Sequence, residues 1–378
     1  MKADLAPKHI RKIDDSIILW FKESNRYVVV PQHTWTLISL YIESKNKDAY
    51  LNHLEHELQL GDLDASTAIF TEISKFLIEV NVGSNDDNAT VTSAVSPKLD
   101  IERFYQFDTK CVKINFESTR IESIIHPQIE HHLSNRNVTV DTEFDIFKIK
   151  DFLYIHKNKK HIGRYPTHAF HLLQGRFALE LTNTIHDKHA DDWVATFHAS
   201  TVANTKEAIM IIGDSGNGKS TLSALLMTNG FDLLADDFTP LHLDTNLYRY
   251  PSAISIKKGA FSILDAEISN FNNLKIHTNG PKKVNLKYVP QNLSFTNKNS
   301  HFPCTKIVYV KFDKTKSSEL HHISVEKIVE TLIPDSWISP NEHHAHKFMN
   351  WLNDITCYEL TYSDNDFAIS KFKALFNQ

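Results

Sequence analysis

The chain has 378 residues, of which 41% are hydrophobic and 23% are charged, and its formal net charge is −5 at pH 7. This length and apolar content predict two or three ordinary globular domains. The small negative charge gives no support to a nucleic-acid groove or a membrane surface as a partner.

Cysteine usage and the N-terminal region favour a cytoplasmic protein. The three cysteines, Cys111, Cys304 and Cys357, are scattered and odd in number, which argues against a disulfide framework. The first residues lack the apolar segment of a signal peptide, and no stretch approaches roughly eighteen consecutive apolar residues. We therefore expect neither secretion nor a membrane span.

Residues 1–82 are predicted to form a small α+β domain. Two β-rich runs, Ser16–Phe21 and Arg26–Val30, are separated by a polar turn and predict a hairpin. Apolar residues then recur at helical spacing and predict three short helices. These stretches are marked by Trp35 to Ile42, Leu51 to Leu58 and Ile69 to Leu77, with an N-cap region at Asp64 to Ser66 before the last.

A hairpin followed by three short helices is a winged-helix-like arrangement, and it resembles the PqqD family of peptide-binding domains. The resemblance implies that this domain recognises an extended precursor peptide, which would add a strand to the hairpin edge. The candidate surface covers Tyr27 to Val30 and Trp35 to Tyr41. Core packing of Trp35 and Tyr41 is the alternative for these two side chains.

Residues 83–99 are poor in large apolar residues and are predicted to be an interdomain linker. The rest, residues 100–378, is expected to be one catalytic domain. Its first part predicts strands at Cys111 to Phe116 and within Phe144 to Ile155, followed by a helix at Phe170 to Leu181. Its core is expected at about residues 192–378.

The strongest motif of the chain lies in this core. The sequence Gly213-Asp214-Ser215-Gly216-Asn217-Gly218-Lys219-Ser220-Thr221 contains G-x-x-x-x-G-K-[ST], preceded by an apolar run and followed by a helical pattern. Glycines allow such a loop to turn backbone N–H groups onto a triphosphate, which the helix N-terminus also attracts. Lys219 is expected to contact the outer phosphates and Ser220 to bind Mg²⁺. All nine residues are candidate nucleotide-binding residues.

The segment after the loop narrows the class of protein. A short helix turns at Asn229 and Gly230, and the apolar run Phe231–Ala235 then ends in Asp236 and Asp237. Two carboxylates are thus expected beside the phosphate loop, at the sheet edge where α/β proteins bind ligands. One can bind the metal and the other can accept the proton of an attacking hydroxyl.

GDSGNGKS followed by LLADD resembles the catalytic domain of HPr kinase/phosphorylase and the wider HPr-kinase-like group, which is related in fold to phosphoenolpyruvate carboxykinase. The expected fold is therefore an α/β P-loop kinase domain preceded by the small PqqD-like domain. The resemblance implies that His198 lies near the transferred phosphate, that Asp236 is the catalytic base and that Asp237 assists with the metal. ATP and Mg²⁺ are the implied cofactors.

Two positions depart from the pattern of true HPr kinases. Thr221 stands where those proteins have Glu, and an alignment of ISIKKGAF with the family signature puts Ser255 in place of an acid. Phosphorolysis is therefore in doubt. Lys257, which replaces an arginine in the same alignment, is a secondary candidate for the site.

The sequence thus predicts an ATP-dependent kinase that acts on a serine or threonine hydroxyl of a peptide or protein, bound in part by residues 1–82. The alternatives are a kinase of a small hydroxyl metabolite such as free serine, and a nucleotide-dependent regulator or peptide chaperone without phosphotransfer. Oligomerisation is compatible with the resemblance. The His343, His344 and His346 cluster has no spacing that indicates a complete metal site.

Overall fold

The computed structural model describes residues 3–83, 97–135, 139–279, 284–291 and 299–377. Within these ranges the chain has a mixed α/β architecture with four separate sheets. The expected linker at residues 83–99 lies mostly outside the described residues. No helix in the described ranges has the length and apolar character needed to cross a bilayer.

The N-terminal unit is an antiparallel sheet covered by three helices. Its strands are β1 (His9–Ile13), β2 (Ser16–Phe21) and β3 (Arg26–Pro31), and its helices are α1 (Gln32–Glu43), α2 (Lys47–Leu58) and α3 (Leu63–Val80). The predicted hairpin and helices are confirmed, but β1 was missed because its His-Arg-Lys content is polar. The predicted N-cap of α3 was wrong: Asp62 caps it, since its carboxylate accepts hydrogen bonds from Asp64 and Ala65 N–H.

Strand β2 is buried along its whole length. Leu19 and Phe21 on one face join the core formed with α1, α2 and α3. Ile18 and Trp20 on the other face pack into the core of the C-terminal part of the chain. The N-terminal sheet is therefore sandwiched between its own helices and the larger body.

The second unit is a five-stranded sheet in the order β4-β5-β6-β7-β8. These strands are β4 (Ile101–Phe107), β5 (Lys110–Phe116), β6 (Thr142–Ile149), β7 (Phe152–Lys157) and β8 (Lys160–Pro166), with α4 (Thr119–Ile129) and α5 (Phe170–His186) against them. The predicted strands and helix here are confirmed, whereas β4, β8 and α4 were missed. Ala235 and Tyr250 contribute to the same core, so this sheet packs beside the end of the strand that carries the acid pair.

The remaining elements follow in chain order. The strands are β9 (Trp193–Phe197), β10 (Ser200–Ala203), β11 (Ala208–Ile212), β12 (Asp232–Ala235), β13 (Thr239–His242), β14 (Asn246–Tyr248), β15 (Ile254–Lys257), β16 (His277–Asn279), β17 (Val284–Val289), β18 (His301–Phe312), β19 (Glu319–His322), β20 (Trp337–Ile338) and β21 (Thr356–Tyr362). The helices are α6 (Lys219–Thr228), α7 (Phe261–Asp265), α8 (Val325–Leu332), α9 (Glu342–Asn353) and α10 (Asn365–Leu375).

The central sheet positions the site. Its order is β12-β10-β11-β18-β14-β13-β9-β20, and β21 also pairs with β18. Strands β11, β18 and β21 are mutually parallel. Because β10 is antiparallel to both β11 and β12, strand β12 runs in the same direction as β11. The carboxyl ends of β12, β11, β18 and β21 therefore meet at one edge of the sheet.

Both faces of this sheet are covered. Along β11, Met210 and Ile212 enter one apolar core, whereas Ile209 and Ile211 enter the other. This explains why β11 is a continuous apolar run and not an alternating one. A small sheet in the order β15-β17-β16, together with α7, lies against α6. It forms one wall of the pocket described next.

Candidate functional site

The glycine-rich loop connects β11 to α6 at the carboxyl edge of the central sheet. Gly213, Gly216 and Gly218 have φ values of 153°, 98° and 88°, in the region that favours glycine. A Cβ at Gly213 would lie 2.6 Å from the Val310 carbonyl oxygen, so a side chain there would collide with β18. In the described part of the chain no side chain caps the start of α6. The arrangement suits an anion bound by backbone N–H groups.

Lys219 is the cation of this loop. It is the first residue of α6, and its side chain is almost buried. Its Nζ donates a 2.6 Å hydrogen bond to the Gly213 carbonyl oxygen, so the ammonium group lies across the loop. A phosphate group in the loop would accept from the same ammonium.

Asp236 is a buried carboxylate that contacts the loop. Only 3% of its surface is exposed, and its Oδ1 accepts a 2.5 Å hydrogen bond from Ser200 Oγ. Ser220 Oγ and the Ser255 N–H also donate to it. Burial raises the pKa of Asp236 well above the ordinary aspartate range, and the adjacent charge of Asp237 raises it further, against these hydrogen bonds.

Asp237 has different surroundings. Its φ of 62° lies in the left-handed region, which residues other than glycine adopt uncommonly. The carboxylate is 45% exposed and lies 3.9 Å from His198 Nε2. Ser255 Oγ donates a 3.2 Å hydrogen bond to its Oδ2. Ser255 therefore joins the site through Asp237, although it replaces an acid in the expected pattern.

These residues share one pocket of about 370 Å³. Most of the residues predicted from the sequence line it. They are His198, Asp214, Ser215, Gly216, Gly218, Lys219, Ser220, Thr221, Asp237 and Lys257. Gly213, Asn217 and Asp236 lie behind this surface and support it. Gly213 packs on β18, Asn217 contacts Tyr309, and Asp236 accepts a hydrogen bond from the Ser220 side chain.

The donor set suits a hard cation. Ser220 Oγ and the carboxylate of Asp236 are in contact, and Asp237 provides a second carboxylate. Oxygen ligands of this kind, completed by phosphate oxygens and water, are those that Mg²⁺ prefers. In the described residues no three His, Cys, Asp or Glu side chains form a metal cluster by themselves.

Other side chains of the site were not predicted from the sequence. Tyr309 Oη donates a 2.7 Å hydrogen bond to Asp214 Oδ2, and burial together with this bond raises the pKa of Tyr309 to about 12. Phe312, Tyr362 and Asn365 also line the pocket. Their position explains their place in the site: Phe312 and Tyr362 end β18 and β21, and ligand sites of α/β sheets lie at the carboxyl ends of strands.

The remaining candidate histidines do not join this pocket. His344 is buried in α9, where its Nδ1 lies 2.8 Å from Ser339 Oγ. His346 packs 5.4 Å from the His9 ring, between α9 and β1. These contacts give both residues structural roles.

No family model matches the chain, and no curated protein matches it. Among solved structures, the chain is similar to the Hpr(Ser) kinase/phosphatase from Coxiella burnetii, with 13% sequence identity and a TM-score of 0.21. The match covers 48% of this chain and 94% of that chain. A TM-score this low does not establish a shared fold.

Proposed function

We propose that the protein is a Mg²⁺-dependent nucleoside triphosphate kinase that phosphorylates a serine or threonine hydroxyl of a peptide or protein. The observation that carries the proposal is the pocket in which the glycine-rich loop, Lys219 and Ser220 meet the acid pair. A phosphate loop alone serves many activities. An exposed carboxylate beside it, with a second carboxylate bound to the loop serine, supplies both a proton acceptor and a metal ligand.

In this mechanism, loop N–H groups and Lys219 bind the outer phosphates and neutralise their charge. Ser220 and Asp236 would hold Mg²⁺, which supplies further charge neutralisation on the phosphates. The acceptor oxygen attacks the terminal phosphorus, the bond to the leaving nucleoside diphosphate oxygen breaks, and the acceptor proton passes to a carboxylate. His198 and Lys257 line the same pocket and are available to the transferring phosphoryl group.

The proton acceptor is assigned from the exposure of each carboxylate to the pocket. From the sequence, Asp236 was expected to be the base and Asp237 the metal-binding acid. Asp236 is 3% exposed and hydrogen bonded to Ser200 and Ser220, whereas the carboxylate of Asp237 is 45% exposed and lines the pocket. Because a base must come within hydrogen-bond reach of the acceptor hydroxyl, we exchange the two roles. Asp237 would accept the proton, and Asp236, through its contact with Ser220, would complete the metal site.

A peptide acceptor fits the open side of the pocket. Both Asp237 and His198 are 45% exposed, and Lys257 is also exposed. A hydroxyl on a longer chain can therefore approach without being enclosed. The N-terminal unit, with its small sheet and three helices, is the part of the chain proposed to hold the rest of such a peptide.

The test is transfer of labelled γ-phosphate from a nucleoside triphosphate with Mg²⁺ to serine- and threonine-containing peptides, compared with free serine. Lys219→Ala is expected to abolish detectable transfer, because the cation on the outer phosphates is lost. Asp237→Asn is expected to lower kcat about 100-fold or more, with nucleotide affinity within about threefold of wild type. Asp335→Asn, an exposed carboxylate outside the pocket, makes the same charge change and should leave transfer unchanged.

Two results would contradict the proposal at different levels. If Asp237→Asn transfers phosphate at the wild-type rate and Asp236→Asn does not, the base assignment is reversed. If the wild-type protein releases only free phosphate, or labels free serine and no peptide, then the peptide kinase proposal is wrong.

A further inference from the structure

One end of the pocket is apolar and takes no part in the phosphate chemistry. Ala260 and Ile263, at the start of α7, line the pocket together with Phe312 and Tyr362. Three of these side chains, those of Ala260, Ile263 and Phe312, are only partly buried although they are apolar. Partly exposed apolar and aromatic side chains that line a cavity are typical of a subsite for an apolar part of a ligand.

The aromatic wall is attached directly to the phosphate loop. A Cβ built on Gly218 would lie 3.0 Å from Tyr362 Oη and 3.4 Å from Phe312 Cβ. The Phe312 N–H also donates a 3.2 Å hydrogen bond to the Asn217 carbonyl oxygen. The two rings lie 5.3 Å apart in an edge-on arrangement. The subsite is therefore held at a fixed position relative to bound phosphates.

The subsite and the acid pair lie on opposite sides of the loop. Asp237 follows β12, two strands from β11 on one side, whereas Phe312 and Tyr362 end β18 and β21 on the other. An acceptor activated by Asp237 must approach the outermost phosphate. The nucleoside, at the other end of the triphosphate, would then extend towards Phe312 and Tyr362.

Asn365 is the polar side chain at this end of the pocket. It is the first residue of α10, is partly buried and lines the pocket beside Tyr362. Its carboxamide offers one acceptor and one donor side by side. Adenine presents the complementary pair at N6 and N7, whereas guanine presents two acceptors, O6 and N7, on the same edge. A single asparagine therefore matches that edge of adenine better.

We propose that Phe312, Tyr362, Ile263 and Asn365 form the base subsite of the nucleotide, and that this subsite selects adenine. The partly exposed side chains of Phe312 and Ile263 pack against the base, the buried ring of Tyr362 supports Phe312, and the Asn365 carboxamide pairs with the edge of the base. This proposal rests on the proposed function for the presence of a nucleoside triphosphate, but it concerns binding and not phosphate transfer.

The test is the dissociation constant, with Mg²⁺, of non-hydrolysable ATP and GTP analogues and of inorganic tripolyphosphate. The full-length wild-type protein should bind the ATP analogue about tenfold more tightly than the GTP analogue, the size of a bidentate base contact. Asn365→Ala should bring the two analogues within about twofold of each other. Phe312→Leu should weaken both by about fivefold or more through loss of stacking, with tripolyphosphate unchanged. Ser370→Ala, an exposed change on the same helix, is the matched control.

Equal affinity of the wild-type protein for the two analogues, or for tripolyphosphate and the ATP analogue, would overturn the proposal. An unchanged preference in Asn365→Ala would remove Asn365 from the subsite. A misfolded Phe312→Leu protein, detected by circular dichroism, leaves the wild-type and Asn365→Ala comparisons decisive. Because binding needs no transfer, a protein that prefers ATP but phosphorylates nothing would contradict the proposed kinase and support the base subsite.

Discussion

Gly218 and Gly230 have nearly the same backbone conformation but different surroundings. Their φ values are 88° and 92°. A Cβ at Gly230 would meet nothing within 4 Å, whereas a Cβ at Gly218 would meet Tyr362 and Phe312. Gly218 is therefore needed for its backbone conformation and for close packing, whereas Gly230 is needed for its backbone conformation alone.

This difference gives a prediction at the scale of one residue. Gly218→Ala should lower the free energy of unfolding by about 1–3 kcal/mol more than Gly230→Ala, because overpacking adds to the backbone strain that both share. Urea unfolding of the two variants and the wild-type protein measures the difference. Gly218→Ala should also weaken nucleotide binding, while Gly230→Ala should not. Equal destabilisation by the two changes would show that the loop does not pack against Tyr362 as described.

Some residues of the site could be predicted from the sequence, and others could not. The loop residues were recognisable because their spacing is local, and Asp236 and Asp237 could be placed beside them because one short helix separates the two segments. The different surroundings of the two acids could not be inferred, since the left-handed φ of Asp237 and the contact of Ser200 with Asp236 appear only in the fold. Tyr309 is 95 residues from Asp214 and escaped prediction for the same reason.

At the scale of elements, helix α5 ends in a half-buried histidine. His186 Nε2 lies 2.8 Å from the carbonyl oxygen of Arg249, and its ring packs edge-on at 5.1 Å from Tyr248. Burial lowers the pKa of His186 to about 4, although the hydrogen bond to Arg249 opposes the shift. This contact holds the end of α5 against the segment that follows β14.

Acidification is therefore expected to weaken the attachment of α5. An unfolded histidine has a pKa of about 6.5, so between about pH 6.5 and 4 the unfolded chain binds a proton that the native protein does not. The free energy of unfolding then rises with pH and is lost as the pH falls through this window. His186→Gln, which keeps a donor but does not titrate, should have a flatter profile between pH 7 and 4.5. Parallel urea-unfolding profiles for the two proteins would disprove the role of His186.

Prediction of elements succeeded where the apolar pattern was strong. Strand β5 and helix α5 were both found from their apolar patterns. Short strands such as β13 and β14, with only four and three residues, were missed because their pairing depends on the long-range contacts of β9 and β18. Strand formation there reflects the sheet around them more than their own sequence.

At the scale of the whole molecule, the N-terminal sheet is joined to the larger body by both packing and hydrogen bonds. Trp20 is fully buried in the core that also contains Phe348 and Trp351. Its Nε1 donates to Asn25 Oδ1 at 2.9 Å, and Asn25 Nδ2 donates to the Ile338 carbonyl oxygen at 2.8 Å. Glu342 of α9 forms a further ion pair with Lys22.

Substitutions on the two faces of β2 should distinguish the core of the larger body, which contains Trp20, from the core of the N-terminal unit, which contains Leu19. Trp20→Ala is expected to lower the free energy of unfolding by about 3–5 kcal/mol and to speed hydrogen exchange in α9, because the lost ring packs against the larger body. Leu19→Ala removes an equally buried side chain from the opposite face, and should speed exchange in α1 and α3 but not in α9. Identical exchange patterns in the two variants would show that the cores are not distinct.

The burial of β2 on both faces also affects how its alignment with β3 is selected. In most half-buried strands, a slip of one residue exposes the apolar side chains and is rejected for that reason. In β2, Ile17 to Phe21 are all apolar. A hairpin shifted by one residue would therefore still place apolar side chains in both cores. The correct alignment must then depend on shape and on the left-handed turn residue Asn25, which binds both Trp20 and Ile338. The hydrogen bonds of Asn25 therefore favour the observed alignment of β2 with β3.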